Sequence, residues 1–272
     1  MTVSLPDHPA PPTSEAVLSL RGIDKRFGAV RALSDVNFDV YPGEVVALVG
    51  DNGAGKTTLV KCIAGVHQPD RGTISYDGAL AKVSTPGASQ ALGIATVFQD
   101  LALCDNLDVV ANLFLGQEHG SSWWMDEVDM EKEAWRLLRQ LSAKLPSVRT
   151  LVAGLSGGQR QTVAIARSLV GKPKVVLLDE PTAALGVAQT AEVLNLVERL
   201  GEQGHGVILV SHNMADVQAV ADRIIVLRLG RNAAEFDAAT ATSDELVAAI
   251  TGASDNVVTQ RRSRRTTEED DA

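Results

Sequence analysis

Short apolar runs alternate with stretches of helical spacing along most of the chain. The runs are Val45–Val49, Ile94–Phe98, Val175–Leu178, Val207–Val210 and Ile224–Leu227. Runs of this kind are typical of strands that are covered on both faces. Helical spacing is evident at Val193, Leu196, Val197 and Leu200. The pattern predicts an α/β fold in which a largely parallel sheet lies between helices.

Two regions depart from this pattern. Val36–Val40 alternates strictly between apolar and polar residues, and Tyr41–Gly43 then turns the chain, which predicts a half-exposed antiparallel strand outside the parallel core. Between about residues 101 and 165 we expect an inserted, mostly helical subdomain without strands. Its helical spacing rests on Met130, Ala134, Leu137, Leu138, Leu141 and Leu145.

The two ends of the chain differ in composition from the middle. Residues 1–15 are rich in proline and polar side chains, and residues 253–272 contain Arg261–Arg265 followed by Glu268–Asp271. Opposed charge blocks are typical of solvated, disordered segments. We expect a mobile leader at 1–15, a folded domain at 16–252 and a disordered charged tail at 253–272.

Bulk composition narrows the class of protein. The chain has 272 residues, of which 45% are hydrophobic and 22% charged, and no apolar run approaches the ~18 residues that cross a bilayer. We expect a cytoplasmic protein that does not itself span a membrane. The net charge of −9 disfavours a nucleic-acid partner. Cys62 and Cys104 are expected to be buried as small apolar residues.

A glycine-rich stretch, Gly50–Thr57, follows the first apolar run and leads into the helix-like Thr58–Ala64. Its glycines allow a tight turn that brings backbone N–H groups close to phosphate oxygens, and the helix start adds unpaired donors. Lys56 can reach the outer phosphates, and the Thr57 hydroxyl can ligate magnesium. A flexible glycine turn is the alternative, but the flanking strand and helix favour a nucleoside triphosphate site.

Two acids, Asp179 and Glu180, follow the apolar run Val175–Leu178. The carboxyl end of a strand is where ligands bind in open α/β sheets. Asp179 would hold magnesium, commonly through water, and Glu180 would polarise or deprotonate an attacking water. A solvated acidic turn is the alternative, and the phosphate-binding loop favours the functional interpretation.

A second anion-binding helix start is predicted at Leu155–Gln159, where Ser156 can cap the helix and Gly157 and Gly158 leave backbone N–H groups bare. One triphosphate is already bound by the first loop, so a second terminus has no obvious use within one chain. Two chains packed head to tail, each completing the other's site, would use it.

Three segments in this order, Gly50–Thr57, Leu155–Gln159 and Val175–Glu180, resemble the ATP-binding subunits of ATP-binding-cassette (ABC) transporters. The resemblance covers about residues 16–252. It implies a P-loop NTPase fold of ABC type, ATPase activity, and bound ATP and Mg²⁺. It also implies a second ATP-binding subunit, in a homodimer or with another cassette, and separate integral-membrane permease subunits.

Three further positions match family landmarks. Phe27 resembles the aromatic residue that stacks on adenine, Gln99 the glutamine that contacts magnesium and water and senses the membrane partner, and His212 the histidine at the γ-phosphate. Taken alone, these would be a core aromatic, a surface amide and a structural histidine. The resemblance assigns catalysis to Lys56, Gln99, Glu180 and His212, and metal binding to Thr57, Gln99 and Asp179. It assigns nucleotide binding to Phe27, Gly50, Asp51, Asn52, Gly53, Ala54, Gly55, Lys56, Thr57, Thr58, Ser156, Gly157, Gly158 and Gln159.

One position departs from the family. After Pro181–Leu185 the family commonly has an aspartate that helps couple the two subunits, and this chain has Gly186. We therefore assign no side-chain role there. The other site residues match, so we expect an active ATPase.

The amino-acid sequences of four segments are similar to those of the ATP-binding subunits of ribose, xylose and fructose importers. The segments are Gly50–Thr57, Val66–Gly72, Val97–Leu103 and Asn112–Gly116. This similarity implies sugar import at the cytoplasmic face of the membrane with an extracytoplasmic sugar-binding protein. The alternatives are an importer of another solute such as amino acids, a non-transport ABC ATPase acting on nucleic acid or ribosomes, and a regulator that no longer hydrolyses. Trp123 and Trp124 would pack within the helical subdomain or contact a partner.

Overall fold

The computed structural model describes residues 15–121 and 124–253. In this part the strands are β1 (Leu18–Phe27), β2 (Val30–Val40), β3 (Val45–Val49), β4 (Arg71–Tyr76), β5 (Ala79–Ala81), β6 (Ile94–Val97), β7 (Gly120–Ser121), β8 (Trp124–Met125), β9 (Val175–Asp179), β10 (Gly206–Val210), β11 (Arg223–Arg228) and β12 (Arg231–Asp237). The helices are α1 (Lys56–Ile63), α2 (Pro86–Leu92), α3 (Val109–Phe114), α4 (Glu127–Gln140), α5 (Gly157–Ser168), α6 (Val187–Glu202), α7 (Met214–Val220) and α8 (Ser243–Thr251).

A six-stranded sheet in the order β12-β11-β3-β10-β9-β6 forms the centre of the fold. Its strands are parallel except for β12, which pairs antiparallel with β11. The predicted apolar runs each become one of these strands, and β3 and β10 are buried throughout because helices or a second sheet cover both faces. The predicted, largely parallel core is therefore confirmed.

A four-stranded antiparallel sheet, in the order β2-β1-β4-β5, packs on one face of the central sheet. The alternation predicted at Val36–Val40 is confirmed: Val36, Phe38 and Val40 are buried, and Asn37 is exposed. The strand is longer than predicted and begins at Val30.

The opposite face of the central sheet packs against α3, α4, α5 and α6. The helical prediction for residues 101–165 is wrong in two details. A two-residue hairpin, β7–β8, precedes α4, and α4 ends at Gln140, so that Leu145 lies beyond the helix. Ser142 has a φ of 52°, a left-handed conformation that prevents the helix from continuing.

The two cysteines differ in environment. Cys62 is fully buried on α1, and burial raises the pKa of its thiol to about 11, as expected for a small core residue. Cys104 is only half-buried, contrary to prediction, because its loop lies at the surface and is held by Asn112 through its amide and carbonyl.

Several sequence-based predictions lie outside the described residues. They are the leader at residues 1–14, Trp123, the side chain of Trp124 and the tail at 254–272. Across the described residues, none of the helices has both the length and the apolar character that crossing a bilayer requires.

Candidate functional site

In the glycine-rich loop after β3, two glycines pack closely against the backbone of neighbouring strands and a third faces open space. A Cβ on Gly50 would lie 2.2 Å from the Leu227 carbonyl oxygen of β11, and one on Gly55 would lie 2.8 Å from the Ala32 carbonyl oxygen of β2. Gly53, with a φ of 81°, has no atom within 4 Å of a Cβ position. The loop is therefore fixed at both ends, while its middle leaves room for a ligand.

Helix α1 starts without a capping side chain. Gly55 at its N-cap adopts a left-handed conformation. Among the described residues, the amides of Lys56, Thr57 and Thr58 have no hydrogen-bond acceptor. Unpaired amides and the positive end of the helix dipole attract anionic oxygens. This arrangement fits the phosphates of a nucleotide.

Lys56 lies within the loop and is only 9% exposed. Its Nζ donates to the carbonyl oxygens of Gly50, at 2.7 Å, and Asp51, at 3.1 Å. The ammonium group therefore closes the loop with bonds to neutral acceptors. Phosphate oxygens would be stronger acceptors for the same donor, because they carry charge.

Asp179 ends β9, and the intervening β10 separates it from β3 and its loop. Burial raises the pKa of Asp179, the charge of Glu180 raises it further, and Lys56 and Lys61 oppose the shift. The charge of Lys56 therefore acts on Asp179, although the two residues follow different strands. A half-buried carboxylate beside a second acid can hold a divalent cation, whose charge would favour ionisation.

Glu180 and His212 form a direct pair, which the sequence did not reveal. His212 Nδ1 lies 2.7 Å from Glu180 Oε2. The Glu180 side chain is 16% exposed, and the His212 side chain is 72% exposed. The Glu180 backbone has a φ of 52° and its amide donates to the Val210 carbonyl at 3.0 Å. A non-glycine residue in this conformation is uncommon and is concentrated at functional sites.

Gln99 is exposed and follows β6, the strand next to β9. The segment after it is held by Arg167 of α5, whose guanidinium donates to the carbonyls of Leu101, at 2.6 Å, and Ala102, at 2.8 Å. Sequence reasoning missed Arg167, since a helical arginine gives no local signal of a partner more than 60 residues away.

Phe27 lies at the end of β1 with 45% of its surface exposed. Its ring packs edge-on against His67 at a centroid distance of 5.1 Å, and Lys25 Nζ lies 5.6 Å from the ring centroid. An exposed aromatic face of this kind can stack on a planar base. The core alternative for Phe27 is not supported by this exposure.

The second predicted helix start, at α5, forms a complete capping box. Ser156 Oγ accepts from the Gln159 amide at 3.3 Å, and Gln159 Oε1 accepts from the Ser156 amide at 3.0 Å. The two glycines pack within the chain: a Cβ on Gly157 would lie 3.0 Å from Leu185 Cδ2, and one on Gly158 would lie 3.1 Å from Gln189 Cβ.

The structure therefore divides the predicted residues into two groups. Strand order brings the 50–58 loop, Asp179, Glu180, His212 and Gln99 to the carboxyl edge of one sheet. Within the described residues, no hydrogen bond or salt bridge joins Ser156–Gln159 to that loop. Gly186 caps α6 through its backbone alone: its carbonyl accepts from the Thr190 amide, and its amide donates to the Gln189 side chain.

The fold and this edge define a P-loop NTPase, with a phosphate-binding loop, a buried lysine and an acid pair on the strand beyond β10. The family model described as "ABC transporter" matches residues 33–183, and the chain belongs to this family. It is an ATP-binding, ATP-hydrolysing cassette of ABC type. The resemblance drawn from the three sequence motifs is confirmed.

Three similar proteins illustrate the relationship. The xylose/arabinose import ATP-binding protein XylG of Sulfolobus acidocaldarius is 44% identical, over 79% of this chain and 86% of that protein. The fructose import ATP-binding protein FrcA of Rhizobium meliloti is 42% identical, over 88% and 95%. The solved dimer of the cassette MJ0796, bound to ADP and phosphate after hydrolysis, is 27% identical with a TM-score of 0.69, covering 81% of this chain and 98% of that one.

Proposed function

We propose that this chain hydrolyses ATP to energise the import of a monosaccharide through separate permease subunits, at the cytoplasmic face of the membrane. An extracytoplasmic sugar-binding protein would deliver the sugar. The support is the similarity to two sugar-import ATP-binding proteins over at least 79% of this chain. The net charge of −9 opposes a nucleic-acid partner.

The working unit is proposed to be two copies in head-to-tail contact. The capping box uses the Ser156 and Gln159 amides, and the Gly157 and Gly158 amides have no acceptor among the described residues, so they can bind an anion from another copy. MJ0796, which this chain resembles, is a dimer in its ADP- and phosphate-bound form. Each site would combine the Gly50–Thr58 loop of one copy with the Ser156–Gln159 helix start of the other.

The site residues then have separate roles. The unpaired amides of Lys56, Thr57 and Thr58 and the Lys56 ammonium bind the phosphates, and the exposed ring of Phe27 stacks on adenine. Thr57, Gln99 and Asp179 would hold Mg²⁺ through their oxygens, and the ion would offset phosphate charge when bound. The Glu180 carboxylate accepts the proton of the attacking water. His212 orients this carboxylate by donating from Nδ1 to Oε2 at 2.7 Å, and its Nε2 donates to phosphate when the ring is an imidazolium.

The similarity to the two sugar-import proteins carries the sugar assignment, and the Glu180–His212 pair supports the hydrolysis that drives import. The test of this proposal is complementation of cells that lack this chain. Uptake of xylose, arabinose, fructose or ribose should be lost and should return with the wild-type chain. It should not return with Glu180→Gln, expressed at the same level. Normal uptake of these sugars without the chain would refute sugar import.

A further inference from the structure

A buried carboxylate, Asp216, bonds to the two loops that carry Glu180 and His212 and has no role in the proposed chemistry. It belongs to the first turn of α7 and is only 7% exposed. One oxygen, Oδ2, accepts from the Thr182 hydroxyl at 2.7 Å. The other, Oδ1, accepts from the Asn213 side-chain amide at 3.0 Å.

The two partners of Asp216 belong to different catalytic loops. Thr182 follows Glu180 by two residues, and Asn213 follows His212 by one. Asp216 therefore joins the loop after β9 to the loop after β10. A change in the separation of these loops would alter the 2.7 Å contact between His212 and Glu180.

Ordinary helix capping does not explain these contacts. In α5 and α8 the third helical residue accepts from the N-cap amide, as a capping box requires. In α7 the N-cap amide of Asn213 donates instead to Ser211 Oγ at 3.0 Å. The Asp216 carboxylate is thereby available to bind across the two loops. Burial of its charge is costly without such partners.

The loop that carries Thr182 also touches the second nucleotide-binding element. The Leu185 amide donates to the Thr182 carbonyl at 3.3 Å, and the Leu185 side chain borders Gly157. Thr182 therefore lies between the acid pair and the helix start that is proposed to meet the partner copy.

We propose that Asp216 is a positioning residue that holds the loops of Glu180 and His212 in the arrangement required for hydrolysis, through Thr182 and Asn213. The inference rests on the proposed roles of Glu180 and His212. The Asp216 carboxylate bonds to Thr182 and Asn213, neither of which belongs to the phosphate-binding loop, so its loss should slow turnover and leave ATP binding intact.

The test uses the purified full chain and compares Thr182→Val, Thr182→Ser and Asp216→Asn with the wild type in ATP hydrolysis. Thr182→Val keeps the size of the side chain and removes the hydroxyl. We expect kcat to fall by ~10-fold, within the loss that a displacement of about 1 Å produces, with KM for ATP changed by less than about twofold. Thr182→Ser keeps the donor and should retain kcat within about twofold.

A matched control and a double variant separate positioning from general loss of structure. Thr190 lies on α6, and its hydroxyl has no hydrogen-bond partner among the described residues, so Thr190→Val should leave kcat unchanged. The Thr182→Val/Asp216→Asn double variant should lose no more than the single variants, because both changes break one link.

Three results would overturn the inference: wild-type kcat in Thr182→Val, an equal loss in Thr190→Val, or additive losses in the double variant. Glu180→Gln separates this failure from that of the proposed function. If Glu180→Gln abolishes hydrolysis and Thr182→Val does not alter it, only the role of Asp216 is wrong. Full hydrolysis by Glu180→Gln would overturn both.

Discussion

His212 Nδ1 lies 2.7 Å from Glu180 Oε2, so the two residues that follow adjacent parallel strands form one unit. We expect Glu180→Gln to retain ATP binding and to lose hydrolysis by at least ~100-fold, the low end of what a general base contributes. The isosteric amide keeps a contact with His212 but cannot accept the proton. Phosphate release and nucleotide affinity measure the two effects. Hydrolysis at the wild-type rate would exclude the assigned role.

His212, the exposed member of the pair, is expected to act by orienting the Glu180 carboxylate. His212→Ala removes the contact that fixes Oε2 and should lower kcat more than it changes the affinity for ATP. A control histidine is available in His205, which is half-buried and whose ring contacts the Pro173 carbonyl at 2.8 Å. Replacing His205 with Gln should leave kcat unchanged. Equal losses in both variants would show that His212 has no specific role.

The sequence predicted what depends on local residue order. The 50–58 loop, the acid pair and the strands were recognisable because each is encoded in a few consecutive residues. The contacts of Arg167 with residues 101 and 102, and of Asp216 with Thr182, were not predicted. They depend on how α5 and α7 pack, which single-sequence patterns do not specify. The end of α4 at Gln140 was missed because Ser142 gives no sequence signal of its left-handed conformation.

Asp179 should make stability depend on pH. Folding raises its pKa, first through burial and then through Glu180, so the ionised carboxylate is less favourable in the folded chain. Its contribution to stability is present below the unfolded pKa of about 3.9 and is lost as the pH rises through the folded value. The Asp179→Asn variant has no carboxyl to ionise at this position, so it avoids this loss of stability. Without nucleotide, it should therefore melt at a higher temperature than the wild type at pH 7.5.

The difference in melting temperature between Asp179→Asn and the wild type should narrow as the pH falls toward about 4, where the wild-type carboxyl is largely protonated. Asp244→Asn is the matched control, because Asp244 is exposed in the first turn of α8. A carboxylate there is stabilised by the helix dipole, so its removal should not raise the melting temperature. An unchanged melting temperature for Asp179→Asn at both pH values would contradict the electrostatic argument.

Arg167 should be sensitive even to replacement by lysine. Its guanidinium donates to two adjacent carbonyls, at 2.6 and 2.8 Å, and a single ammonium cannot reproduce this forked geometry. We expect Arg167→Lys to lower the free energy of unfolding by ~1–3 kcal/mol, the value of a charge-assisted hydrogen bond. Arg136→Lys on α4 is the control, because its pair with Glu133 is half-exposed and contributes little. Denaturant titration compares the two; equal effects would exclude the proposed importance of the fork.

Gly158 should tolerate even a methyl side chain poorly. A Cβ there would approach Gln189 Cβ to 3.1 Å and the Gln189 backbone to 3.6 Å, so α5 and α6 would have to move apart. Gly158→Ala is expected to destabilise the chain by ~1–3 kcal/mol, as overpacking commonly does. Gly154→Ala is the control, since the nearest atom would be Thr150 Cγ2 at 3.9 Å. Thermal unfolding of the monomeric chain tests this, and an unaltered stability for Gly158→Ala would show that the helices can separate freely.

Mixed dimers decide whether each site is shared between two copies. With Glu180→Gln in every chain to block cleavage, one copy carries Lys56→Ala and the other Ser156→Arg. If sites are shared, both lesions fall in one site, and the mixed dimer retains one ATP. If each site lies within one chain, none survives. The reciprocal arrangement, with both lesions in one copy and none in the other, should retain none if sites are shared and one if they are not. The amount of retained ATP per dimer therefore distinguishes the two models in both arrangements. We expect the result for shared sites, because the Ser156–Gln159 helix start has no bond to its own phosphate-binding loop within the described residues.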